Sequence, residues 1–145
     1  MLHQGKPTLC ISAFQGGKET LETNRDFTKY FFGLRPQNMG IQALRWYAES
    51  LGIQQIYSFP IEKIWSKKIK DRAAVEEFLQ KQGAQLVAAT PYVELNLLET
   101  RKSLEDIASK KRSMYKKRFE FLDQAKLDYQ TALSDYFSTN ARSIT

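Results

Sequence analysis

GLRPQNMGIQALRWYAESLG, residues 33–52, is the stretch from which the fold can be read. Pro36 suits the first turn of a helix, where its missing N–H has no partner to lose, and Gly52 suits the residue just past a helix end. Between these two signals Met39, Leu44, Tyr47, Ala48 and Leu51 fall where they can face a core, so the spacing predicts a helix. Residues 53–59, IQQIYSF, are short, partly β-branched and stopped by Pro60, which predicts a strand. A helix feeding directly into a strand points to a fold that mixes the two.

Upstream, residues 8–14, TLCISAF, read as a strand stopped by the turn signal Gln15-Gly16-Gly17. Leu21, Phe27, Tyr30 and Phe31 then share one helical face, and Gly33 stands where a helix end favours a left-handed residue. Downstream, Asp71 can cap a helix over residues 72–82 that Gly83 terminates. Residues 85–97, QLVAATPYVELNL, look like one or two strands interrupted at Pro91. From about Ser103 the pattern turns helical. Tyr115, Phe119, Leu122, Tyr129, Leu133 and Tyr136 recur at spacings of three, four and seven, which predicts one apolar stripe on a long helix packed across the sheet. The expected architecture is α+β: a mixed sheet, flanking helices and a long C-terminal helix. No repeat or linker divides the chain, so residues 1–145 are expected to form one domain.

The composition agrees with that expectation and narrows the chemistry. A chain of 145 residues with 42% hydrophobic and 12% aromatic content suits one folded core. It has no run of eighteen apolar residues, so no membrane span is expected. Its N-terminus has no convincing cleavage site, so a cytoplasmic location is expected. Cys10 is the single cysteine and His3 the single histidine. An internal disulfide is impossible, no metal is expected, and a nucleophilic triad could only use His3 as its base.

The charge is concentrated. Residues 101–118 hold eight Lys or Arg against Glu105 and Asp106, an excess of six that equals the net charge of +6 for the whole chain. A smaller run, Lys63, Lys67, Lys68, Lys70 and Arg72, is opposed by Glu62 and Asp71. In SKKRSMYKKRFE, residues 109–120, the candidate anion-binding residues are Lys110, Lys111, Arg112, Lys116 and Lys117. Cations crowded at a helix N-terminus repel one another and oppose the dipole, which invites an anionic small molecule or protein partner. Nucleic acid ranks lower, because no base-reading module is present and Tyr115 and Phe119 lie on the core stripe. A membrane-surface role would need that stripe exposed.

LEDIASKKRSMYKKRFEFLD, residues 104–123, resembles the C-terminal signature of the VirK/YbjX family, bacterial proteins carried as a domain of unknown function. ISAFQGG at 11–17, residues 33–53 and EEFLQKQGA at 76–84 follow in the family's order. The resemblance covers most of this chain and about the C-terminal half of a usual member. It departs over residues 58–65, where SFPIEKIW stands in place of an Asn- and His-containing segment.

The family's order of elements looks like the core of the GCN5-related N-acyltransferases, which implies coenzyme A or acyl-CoA as cofactor. In that reading a helix N-terminus binds the pyrophosphate, with Arg35, Gln37, Asn38, Met39 and Gly40 as the cofactor-binding candidates. The competing reading is that LRPQNMG only caps a buried helix. Acyl transfer needs a general base, and Glu94 and Tyr92 are the leading candidates beside Glu49 and Tyr57. Glu94 alternates with Val93 and Leu95, which also fits a solvent-facing strand residue. Cys10, in an apolar strand, reads better as a small buried hydrophobe than as a nucleophile. The resemblance further implies a link to envelope or virulence physiology. The alternative to an acyltransferase-like protein is a non-enzymatic module that sets its basic helix against an anionic partner, and an incomplete sheet makes a homodimer a further expectation.

Overall fold

The computed structural model describes residues 1–12, 20–58 and 72–141. Its elements, in chain order, are β1 (Leu2–His3), β2 (Lys6–Ile11), α1 (Leu21–Tyr30), α2 (Pro36–Ser50), β3 (Gln55–Ser58), α3 (Arg72–Lys81), β4 (Gln85–Leu86), β5 (Val93–Leu95) and α4 (Ser109–Ala141). The expected α+β class, the mixed sheet and the long final helix are all present. Several sequence signals lie outside the described residues: Ala13, Phe14 and the Gln15-Gly16-Gly17 turn, Phe59 and Pro60, the lysine run 63–70 and the Asp71 cap.

The sheet runs β1-β2-β3-β5-β4, with β2 and β3 parallel and the other pairs antiparallel. β2 and β3 are joined through α1 and α2, the long crossover that a parallel pair needs. Register divides the sheet into two faces. Leu9, Ile56 and Leu95 stand in one row, flanked by Ile11 and Val93, and pack with Ile41, Leu44 and Ala48 of α2. The neighbouring row, Cys10, Tyr57 and Glu94, faces the other way.

α2 is the centre of the fold. Trp46 and Met39 form a second cluster with Leu34 and Leu122, Phe121, Ala125 and Tyr129 of α4. α4 therefore lies against α2, with α2 between it and the sheet, and does not cross the sheet as expected. This explains two departures from the single-faced helix patterns. α2 buries Ile41, Gln42, Arg45, Trp46 and Ala48, while the expected core residue Leu51 is exposed. Along α4 only Leu122 of the predicted stripe is fully buried, and Tyr136 stays 62% exposed because the helix continues past the end of α2.

α2 and α3 end alike. Gly52 and Gly83 adopt φ of 65° and 77°, and the next residue's N–H reaches back, Ile53 to the Ala48 carbonyl and Ala84 to the Leu79 carbonyl. Their surroundings differ. A Cβ at Gly52 would meet nothing within 4 Å, whereas at Gly83 it would lie 2.3 Å from the Asn96 side chain. Gly52→Ala should therefore show only the left-handed penalty of about 1 kcal/mol, and Gly83→Ala about 2 kcal/mol or more. Urea denaturation of the two variants checks the order.

Candidate anion-binding groove

The short turn between α1 and α2 shapes a groove of about 930 Å³. α1 closes with the Phe31 N–H on the Phe27 carbonyl and the Gly33 N–H on the Thr28 carbonyl at 2.7 Å. Phe32 and Gly33 then take φ of 54° and 78°, which turns the chain sharply into α2. The left-handed Phe32 is held from α4: Arg118 donates from both Nε and Nη2 to the Phe32 carbonyl, at 3.0 and 2.8 Å. Its guanidinium also lies 4.1 Å over the Tyr115 ring.

Arg25 and Lys29 enter the groove from α1, one turn apart, and Arg35 enters from the α2 N-cap position. No carboxylate is among the described residues that line the groove. Leu21, Phe32, Pro36 and Met114 supply the apolar part of the wall. Arg35 caps without a side-chain hydrogen bond, and its carbonyl accepts the N–H groups of Asn38 and Met39. Pro36 has no N–H and the Asn38 N–H is used, so of the positions that lack an intrahelical partner at this helix end those of Arg35 and Gln37 are left over among the described residues. The groove thus combines three cations, the backbone donors at the start of α2 and an apolar wall.

The five candidates in residues 35–40 do not converge, because successive helical positions point about 100° apart. Arg35 and Gln37 line the groove. Asn38 lines a separate pocket toward α4, Met39 joins the Trp46 cluster, and Gly40 faces a cleft shared with Ile11 and Ser12 at the end of β2. On α4, Lys110, Lys111, Lys116 and Lys117 are exposed. Lys110, Lys111 and Lys117 lie three or four positions from Met114, on the same side of the helix as the groove. Arg112 is engaged locally instead, its Nε and Nη2 donating to the carbonyls of Ile107 and Glu105 at 2.8 and 3.1 Å and so tying the preceding turn to the helix.

Glu94 and Tyr92 are elsewhere. Val93 and Leu95 face α2, so Glu94 stands on the opposite face, beside Tyr57. Tyr92 stacks on Tyr57 with centroids 5.9 Å apart, and the Tyr57 hydroxyl lies 3.1 Å from Nδ1 of His3. Burial, and then the charge of Glu94, push the Tyr57 phenol above its ordinary range. Burial likewise raises the Cys10 thiol, which agrees with a packing role. The sequence reading missed Arg25 and Lys29; their signal was a pair of cations four apart on a predicted helix.

The DUF535 family model, described as a protein of unknown function, matches residues 1–131. Over 128 residues the chain is 34% identical to an uncharacterized protein of Haemophilus influenzae, covering 84% of this chain and 43% of that protein. It is 31% identical over 130 residues to the uncharacterized protein YbjX of Escherichia coli, covering 83% and 39%. The chain therefore spans about two fifths of the length of these curated relatives. No solved structure matches it.

The folded state keeps Tyr57 neutral at a pH where the unfolded chain ionises it. Stability should therefore be complete below about pH 10 and fall as pH rises through the raised value. Tyr57→Phe should flatten that alkaline loss and remove one raised phenol from the phenolate absorbance titration. Unfolding curves and spectra collected across alkaline pH check both.

Proposed function

The chain belongs to the DUF535 family of bacterial proteins of unknown function, the family of YbjX, and from that premise we propose that it binds a phosphate-carrying ligand of the acyl-CoA class in the α1–α2 groove. The observation that carries this reading is the groove itself: Arg25, Lys29 and Arg35 around the start of α2, with an apolar wall beside them. A phosphate suits the cations and the free Gln37 donor, and an acyl or pantetheine chain suits Leu21, Phe32 and Met114. The position of α2 adds support. Gly40 shares a cleft with Ile11 and Ser12, so the first turns of α2 stand at the carboxyl end of a parallel strand, where open α/β sheets bind their ligands.

An acyltransferase-like core in the manner of the GCN5-related enzymes is the activity this reading favours. The donor would lie on the α2 side of the sheet. Glu94 and Tyr92 stand beside Tyr57 on the opposite face, with the hydrogen-bonded strands β2, β3 and β5 between, so the acceptor and its base in this reading would have to come from the α2 side. A second reading, a non-enzymatic module that meets an anionic partner, is favoured by the exposure of Lys110, Lys111, Lys116 and Lys117.

Thermal unfolding with coenzyme A, acyl-CoA thioesters and ATP separates the two. At one hundred times its Kd a ligand adds about 2.7 kcal/mol, a Tm rise of about 5–10 °C for a chain of this size. Acyl-CoA should produce that rise at moderate salt, ATP should not, and Arg25→Glu with Arg35→Glu should abolish it. Equal, salt-sensitive shifts with every polyphosphate that disappear on charge reversal at Lys110, Lys111 and Lys116 would favour the basic module. No shift with any ligand would reject the groove.

A further inference from the structure

We infer that a second pocket, between α2, α4 and residues 99–102, binds a small hydroxylated phosphate monoester, the chemistry of a polyol phosphate. The pocket is formed where two helical faces meet. Asn38, Gln42 and Arg45 come from α2 at spacings of four and three, and Tyr115, Arg118 and Phe119 come from α4 at three and one. Arg45, Lys81, Arg101, Lys102 and Arg118 line it; Glu77 pairs with Lys81, and Glu99 and Asp123 with Arg101, so the excess positive charge rests on Arg45, Lys102 and Arg118.

Among the described residues Arg45 and Arg118 form no ion pair with a carboxylate, although folding has taken them largely out of water; Glu99 acts on Arg45 only from a distance. Arg45, only 6% exposed, donates from Nε to the Asn96 carbonyl at 2.9 Å and from Nη2 to the Gln82 carbonyl at 3.5 Å. Arg118 spends Nε and Nη2 on the Phe32 carbonyl. Arg101 uses the same two nitrogens for Glu99 and Asp123. In each case the described hydrogen bonds leave Nη1. Arg101 and Arg118 also lie over the rings of Phe119 and Tyr115, at 4.9 and 4.1 Å, which with their hydrogen bonds positions their forks before any ligand arrives. Three oriented guanidinium groups and a lysine fit the oxygens of a phosphate.

The hydroxyl follows from Gln42. Gln42 is 6% exposed, it lines the pocket, and its Oε1 has no hydrogen-bond partner among the described residues. A buried amide without a partner in the protein is costly. A hydroxyl both donates and accepts, so it satisfies that amide in either orientation. The pocket, about 210 Å³, is smaller than the roughly 300–1,000 Å³ of sites for drug-sized ligands, which selects a small molecule and excludes a nucleotide.

Isothermal titration of the whole chain at physiological ionic strength with glycerol 3-phosphate, methyl phosphate and glycerol tests this. Glycerol 3-phosphate should bind, methyl phosphate about tenfold more weakly, and glycerol not at all. Gln42→Leu should erase the difference between the two phosphates. Lys102→Glu, at an exposed position, should weaken both and keeps the test available if Gln42→Leu does not fold. The groove variant Arg25→Glu with Arg35→Glu should bind glycerol 3-phosphate as the parent does. Equal affinity for the two phosphates, no binding of either, or loss of binding in the groove variant would overturn the assignment.

Discussion

The buried guanidinium of Arg45 is the constraint around which the fold is organised. A charge this far from water persists only where fixed acceptors replace its hydration, and here those acceptors are two backbone carbonyls. One, at Gln82, lies just past α3; the other, at Asn96, lies just past β5. The Gln82 carbonyl also accepts the Asn96 N–H at 2.9 Å. One side chain of the central helix thus joins the ends of a helix and a strand that the sequence separates from it by 37 and 51 residues. A side chain at Gly83 would displace that of Asn96, which occupies the space, so the tight end of α3 belongs to the same arrangement.

Arg118 does for α4 what Arg45 does for α2. It clamps the carbonyl of a left-handed Phe32, and its Nη2 fills the space where a Cβ on Gly33 would stand. The Leu34–Trp46–Leu122 cluster and the Lys126–Glu49 ion pair extend the contact along α2. The exposed ion pair adds little compared with the apolar burial. The two basic cavities lie on either side of this clamp. Gly33 and Met114 face one, Tyr115 and Phe119 the other, so the basic start of α4 is anchored between them.

Much of this was legible in the chain. The Pro36 start and Gly52 end of α2, the Gly83 end of α3 and the cluster of cations on α4 are local signals, set by backbone conformation and composition within a few residues. Other features were not. A helix buried on two sides has no single apolar stripe, so Gln42 and Arg45 look like solvated positions until α4 is placed over them. The row of Cys10, Tyr57 and Glu94 depends on strand register, which no local pattern states.

The sequence by itself determined the family, the α+β class, the positions of the helices and the concentration of positive charge, because each depends on residues close in the chain. The tertiary structure decided which cations meet. Arg25, Lys29 and Arg35 gather at one groove, and Arg45, Arg101 and Arg118 at another pocket, while Arg112 is used to hold a turn. The reason is geometric: helical neighbours point in different directions, so only the packing of α1, α2 and α4 settles which side chains share a cavity.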